Sequence, residues 1–129
     1  MVTLMLDSAQ LEIVLSAAEK AIAFRKRNVI LERSKITRVQ LTDDAWTWLR
    51  GVRAPGTSVP ATLAMGTWRY AGGKDLVLIR RNRPGVVIDL DGHDEFQRIV
   101  LTTRHGVELA QALRLDAGDE PADVVDIAG

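Results

Sequence analysis

Apolar and polar positions alternate through "LEIVLS", which puts Leu11, Ile13 and Leu15 on one side of an extended segment and predicts a strand of about five residues. The period then changes. Ser16 and Glu19 stand in S-x-x-E order, in which the hydroxyl satisfies an early helical N–H and the carboxylate reaches back to the cap residue. "AAEKAIAF" therefore predicts a short helix, with Ala18, Ala21, Ile22 and Phe24 turned inward. The basic Arg25, Lys26 and Arg27 fall at its C-terminal end, where cations complement exposed carbonyls. "NVILE" and "KITRVQLT" follow as extended pieces. "DDAWTWLRG" reads as a one- to two-turn helix opened by aspartate and stopped by Gly51, and "VRAPGTSVP" as a surface loop.

In the second half, strands are expected at 62–70, 75–80, 86–91 and 97–103, separated by "AGGK", "RNRPG" and "GHDE". Gly72-Gly73 suits a two-residue hairpin, and Gly66 inside a strand suggests a bulge where the sheet bends. Connections this short cannot form a parallel crossover, so the pattern predicts an antiparallel meander. "HGVELAQALRL" then returns to helical spacing, with Val107, Ala110 and Leu113 on one stripe, Leu109 beside it and Thr103 as a cap. The economical sum is an α+β, mainly β fold. It is a seven-stranded bent antiparallel sandwich or barrel, with a short helix after the first strand and a C-terminal helix closing one end.

Composition adds limits. The chain of 129 residues fits one domain. It contains no cysteine, which excludes disulfides, thiolate metal sites and thiol nucleophiles and makes a cytoplasmic setting the expectation. The opening "MVTLMLDSAQ" lacks the basic region of a signal peptide, and no apolar stretch approaches the ~20 residues that span a bilayer. The zero net charge hides an asymmetry. Residues after Leu115 carry Asp116, Asp119, Glu120, Asp123 and Asp126 and no base, whereas residues 1–115 hold all 17 bases and 12 of the 17 acids, a balance of +5. The expected organisation is a folded domain over 1–115 and an acidic, solvated, flexible tail over 116–129.

"LSAAEKAIAFRKRNVIL", "KITRVQLTDDAWTWLRGVRAPGT", "LAMGTWRYAGGKDLVLIRRNRPGVVIDLDG" and "FQRIVLTT" together resemble a group of small bacterial, mostly actinobacterial, pleckstrin-homology-like proteins. The shared features are the early helix, the P-G-T loop and the G-T-x-R hairpin, over about residues 10 to 114. The resemblance implies a fold and carries no activity. His105-Gly106 stands where an Asp-Pro pair is usual in that group, a departure at the start of the final helix.

No catalytic, cofactor or metal motif stands out. His93, Asp94 and Glu95 would chelate poorly and read as a hairpin tip. Asp43-Asp44 reads as a helix cap, and Asp89 with Asp91 as the exposed face of a strand, rather than as acid/base pairs. The basic Arg25, Lys26, Arg27 and Arg80, Arg81, Arg83 are the candidate anion-binding residues. One triplet near an anionic membrane supplies ~3 kcal/mol, short of the ~4 kcal/mol of millimolar affinity, so both would have to share a face. Nucleic acid is not expected, because aromatic residues are not interleaved with the bases. Trp46, Trp48 and Trp68 are candidate apolar anchors beside an open sheet edge. The expectation is a non-enzymatic binding or scaffold module working through protein contacts or self-association without a cofactor; the alternative is weak contact with anionic membrane surfaces.

Overall fold

The computed structural model describes residues 3–60, 62–116 and 125–128. The fold is mainly β with two helices. The strands are β1 (Thr3–Leu6), β2 (Gln10–Val14), β3 (Val29–Glu32), β4 (Ile36–Thr42), β5 (Val52–Val59), β6 (Leu63–Tyr70), β7 (Gly73–Arg80), β8 (Gly85–Leu90), β9 (Arg98–Thr102) and β10 (Val125–Ala128). Helix α1 covers Ala17–Ile22 and α2 covers Gly106–Asp116. One sheet has the order β10-β1-β2-β3 and the other β4-β8-β9-β7-β6-β5.

Local signals act where the sequence puts them. Ser16 Oγ accepts from the Glu19 N–H at 3.1 Å, and Glu19 Oε1 accepts from the Ser16 N–H at 2.8 Å, a complete capping box. Asp44 Oδ1 accepts from the Trp46 N–H at 3.1 Å and opens a 3-10 turn over Ala45–Trp48. At Gly51, φ is +80° and a Cβ would overlap the Arg69 carbonyl, so glycine is required there.

The expected antiparallel meander is corrected. All four strands form close to their expected positions, but β9 inserts between β7 and β8 and runs parallel to β7, with Asp75 opposite Arg98 and Leu78 opposite Leu101. A short loop makes consecutive strands antiparallel without making them neighbours. Residues 81–84 need to step over only two strand spacings, roughly 10 Å. The end of β9 fills the gap they leave: Thr102 Oγ1 accepts from the Arg80 N–H at 3.1 Å, and the Thr103 N–H donates to the Pro84 carbonyl at 3.1 Å.

The seven expected strands become ten among the described residues, because β1, β5 and β10 were not expected. The stretch read as a loop is β5. Pro55 and Gly56 are tolerated because β5 is an edge strand, where a missing N–H costs nothing on the solvent side. Gly56 lies opposite Gly66, and the register shift beside this pair puts the extra residue in β5, between Arg53 and Gly56, while Gly66 itself pairs with β7 in unbroken register, so the bulge expected at Gly66 is on the neighbouring strand. Helix α1 follows the second strand, not the first. Val125–Ala128, within the segment expected to be a solvated tail, pairs with β1 from Leu6↔Val125 to Thr3↔Ala128.

The main core lies between the sheets. Leu4, Leu6, Leu11, Ile13 and Leu31 face Met65, Leu76, Leu78, Val86, Ile88, Ile99 and Leu101, with Phe96 and Leu109 closing the ends. Helix α2 contributes Leu109, Ala112 and Leu113, whereas Val107 is 53% exposed, which rotates the stripe expected for this helix. The other face of β6–β9 holds a second core of Ala64, Trp68, Val77, Ile79, Val87 and Val100. Burial on both faces explains why "DLVLI" and "GVVI" are nearly continuous apolar runs.

Arg33 joins two ends of the chain: it donates to the Asp7 carbonyl at 2.6 Å and to the Ala112 carbonyl at 3.2 Å. The Asp7 carboxylate accepts from the Ala9 and Gln10 N–H groups at 2.7 Å each. These bonds, aided by Arg33, hold its pKa below the ordinary carboxylate value. The folded state is therefore favoured by this group above its unfolded pKa, and the contribution disappears as pH falls through the lower folded value. Urea midpoints measured from neutral pH down through ~4 are expected to drop for the wild type. In Asp7→Asn, whose side-chain oxygen keeps both acceptor roles without titrating, this part of the drop is expected to vanish.

Candidate functional site

Registers across the six-stranded sheet assemble a row that no local pattern in the sequence indicates. Arg38 on β4 lies opposite Asp89 on β8, Asp89 opposite Arg98 on β9, Arg98 opposite Asp75 on β7, Asp75 opposite Trp68 on β6, and Trp68 opposite Arg53 on β5. The row sits on the outer face, beside the second core. Residues 43–51 pass over this face, since they must join β4 and β5, the two outermost strands of the sheet.

The passing segment is tied down at intervals. Trp46 Nε1 donates to the Arg81 carbonyl at 2.8 Å, and Trp48 Nε1 donates to Thr42 Oγ1 at 3.0 Å. The Arg98 guanidinium lies 5.4 Å from the centre of the Trp48 ring and donates to Asp89 at 2.7 Å. Arg50 makes a two-pronged ion pair with Asp75, Nε to Oδ2 at 2.6 Å and Nη2 to Oδ1 at 3.0 Å. Its guanidinium also covers the Tyr70 ring at 3.9 Å, and the Tyr70 hydroxyl bonds to Gln97. Hydrogen bonding to the Asp75 carboxylate raises the Arg50 pKa further above its high ordinary value, against the opposing effect of burial. Both oxygens of the buried Asp75 are occupied by Arg50, and Asp89 is engaged by Arg98, so this row fastens the segment to the sheet.

Trp46, Trp48 and Trp68 thus come together, but in packing rather than beside an open edge: Trp68 is buried, and the other two are half-buried with their indole N–H groups satisfied internally. The two basic triplets do not share a face. Arg25 is held by Glu95 at 3.1 and 3.2 Å and lies over the Phe96 ring, in the loop that precedes β9. The N–H of Gln97 in that loop donates to the Lys74 carbonyl at the start of β7, whereas Arg80 ends β7 and Arg81 and Arg83 follow it, roughly 20 Å along the strand. Lys26 and Arg27 are exposed.

His93 Nδ1 accepts from the Glu95 and Phe96 N–H groups at 3.1 and 3.0 Å, which leaves Nε2 to donate to the Ile30 carbonyl at 3.2 Å. The histidine is thereby built into the loop as a structural clasp across β3. Among the described residues, no group of three His, Asp or Glu side chains is placed to hold a metal ion, and no helix is long and apolar enough to cross a membrane.

Phe24 was expected inside and is instead 67% exposed. Helix α1 ends in a Schellman turn, with the Arg25 N–H on the Lys20 carbonyl at 2.8 Å and the Phe24 N–H on the Ala21 carbonyl at 3.2 Å. That geometry puts Phe24 at φ +59°, a left-handed position where glycine carries no penalty. Comparisons with models of protein families, with curated proteins and with solved structures found no match.

Two stability outcomes follow. Arg50→Met leaves the buried Asp75 unpaired and is expected to lower unfolding free energy by about 2 kcal/mol in urea, the exposure of Arg50 having reduced the value of the pair. Adding Asp75→Leu is expected to recover most of that loss. Phe24→Gly is expected to raise stability by about 0.5–1 kcal/mol, because it relieves the left-handed strain and removes little buried surface.

Proposed function

We propose that the protein is a non-enzymatic binding module that acts through protein–protein contacts, a second copy of itself included. The observation that carries this reading is the free edge at β4. Among the described residues it pairs with β8 alone, and its sequence ITRVQLT is rich in β-branched residues and contains neither proline nor glycine. Strand β5, at the opposite edge, contains Pro55, which discourages strand addition, whereas β4, whose own register shift lies between Ile36 and Arg38, runs in regular register from Arg38 to Thr42.

Apolar surface flanks the β4 edge. Leu41 is 52% exposed and Val107 is 53% exposed. They belong to one patch, because a Cβ at Gly106 would lie 3.0 Å from Leu41 Cδ2 and 2.8 Å from Val86 Cγ1, so the start of α2 abuts the strand. An unpaired strand with apolar side chains beside it supplies both elements of recognition by strand addition: main-chain hydrogen bonds for affinity and side chains for selectivity.

Kinship with pleckstrin-homology-like proteins enters as part of the proposal. The helix packed at the end of the sandwich supports it, while the parallel β7–β9 pair departs from the antiparallel layout which that resemblance implies. A cytoplasmic setting belongs to the same proposal and rests on the absence of cysteine. Contact with anionic membranes through both basic triplets is not adopted, because they sit at opposite ends of the sheet and Arg25 is engaged by Glu95.

Light scattering of the full chain from about 10 µM to about 1 mM is expected to show the mean mass rising above that of the monomer. Leu41→Lys, at a half-exposed position, is expected to shift that rise to about tenfold higher concentration. A mass that stays monomeric throughout, or a rise unchanged by Leu41→Lys, contradicts the reading.

A further inference from the structure

The registers settle which main-chain groups of β4 face away from the sheet. The Leu90 N–H donates to the Gln97 carbonyl at 2.9 Å, so Leu90, and with it Ile88 and Val86, turns its peptide groups to β9. Asp89, Val87 and Gly85 therefore turn theirs to β4, where Arg38, Gln40 and Thr42 lie opposite. Val39 and Leu41 are left with their N–H and C=O groups pointing outward. Their side chains, opposite Ile88 and Val86, lie on the face that carries the main core, whereas those of Arg38 and Gln40, opposite Asp89 and Val87, lie on the outer face.

The edge complements itself when reversed. Its register is regular from Arg38 to Thr42, and Gln40 is the midpoint of that stretch. Apolar Val39 and Leu41 flank Gln40, an exposed base stands at Arg38, and exposed acids follow at Asp43 and Asp44. Neither Arg38 nor Asp43 is in an ion pair among the described residues, because Asp89, the acid opposite Arg38, is engaged by Arg98. A base before the midpoint and acids after it remain for another chain to meet.

We infer that the second copy named in the proposed reading lays its β4 antiparallel to this one, about a two-fold axis at Gln40. This rests on that reading and specifies partner, direction and register. Val39 lies opposite Leu41 of the second copy and exchanges both main-chain hydrogen bonds with it, and the same exchange recurs across the axis. On the core side these residues form apolar cross-strand pairs that cover Leu41, beside Val107 at the start of α2. On the outer face Arg38 lies opposite Thr42 of the second copy, with Asp43 next along that chain and Asp44 as the diagonal neighbour, within reach of an arginine. A parallel approach would set base beside base and acid beside acid. The two-fold contact uses the same patch on both copies, so it closes at a dimer in which the two six-stranded sheets run on as one, and the outer edges at β5 carry Pro55.

The chain contains no cysteine, so one introduced thiol per copy reports the register in the full-length protein. Gln40→Cys places two thiols in a non-hydrogen-bonded pair with Cα atoms about 4.5 Å apart, and is expected to give a disulfide-linked dimer with oxidised glutathione. Arg38→Cys leaves its two thiols roughly 13 Å apart along the strands, too far to bridge, and is expected to give at least about tenfold less. Sedimentation supplies a second readout. Arg38→Glu and Asp43→Lys are each expected to weaken self-association about threefold to tenfold. An equimolar mixture of these two variants is expected to associate to within about threefold of the wild type, because each charge then meets its opposite, a recovery that no loss of folding can produce. Equal cross-linking from positions 38 and 40, a mixture no stronger than its components, or growth beyond a dimer would overturn the two-fold pairing. If Leu41→Lys still weakens association in those cases, the edge reading survives alone. A chain that stays monomeric to about 1 mM would overturn both.

Discussion

Two strands that follow each other in sequence occupy opposite edges of the six-stranded sheet, and the short chain between them has to cross its face. That requirement organises the molecule. Residues 43–51 cover five strand spacings, roughly 24 Å, and part of the segment is spent in a 3-10 turn that advances only ~2 Å per residue. The remaining residues must run nearly extended. The path is therefore close to taut, and its side chains are delivered to fixed places: Trp46 and Trp48 over the second core, and Arg50 over Asp75.

The consequence is a sheet without a wet face at its centre. Strands β6 to β9 are packed on one side by the smaller sheet and on the other by the crossing segment. Charges are tolerated there only as partners, and the alternation Arg38, Asp89, Arg98, Asp75 across four neighbouring strands provides them. The parallel insertion of β9 creates that alternation, since it places Arg98 between Asp89 on β8 and Asp75 on β7.

Much of the local structure was legible in the sequence. The Ser16–Glu19 box and the Asp44 cap were readable because a cap is decided within four residues, and the strands of the second half because apolar runs and glycine turns are local too. What could not be read depends on register. Strand order is set by which edges meet in the collapsed chain, so β9 between β7 and β8 had no signature, nor did the Arg50–Asp75 pair, whose members are far apart in sequence. The proline and glycine of β5 pointed to a loop because an edge strand relaxes the rule that excludes them. Phe24 was assigned inward on periodicity, and a helix that stops two residues early turned it out. The candidate surface fared least well: exposure, not residue type, separates Lys26 and Arg27 from the engaged Arg25.

The same crossing segment also fixes where function can reside. By closing the outer face it leaves the sheet edges as the surfaces through which strand addition can take place, and the proposed β4 contact lies there. Hydrogen exchange followed residue by residue tests the crossing directly. If the segment is part of the cooperative core, the amides of Trp46 and Leu49, bonded to Asp44 and to the Trp46 carbonyl, exchange as slowly as those of Leu76 to Ile79, through global unfolding. Exchange orders of magnitude faster, on the scale of the 81–84 loop, would mean that the segment lifts off by itself and that the sheet does not depend on it.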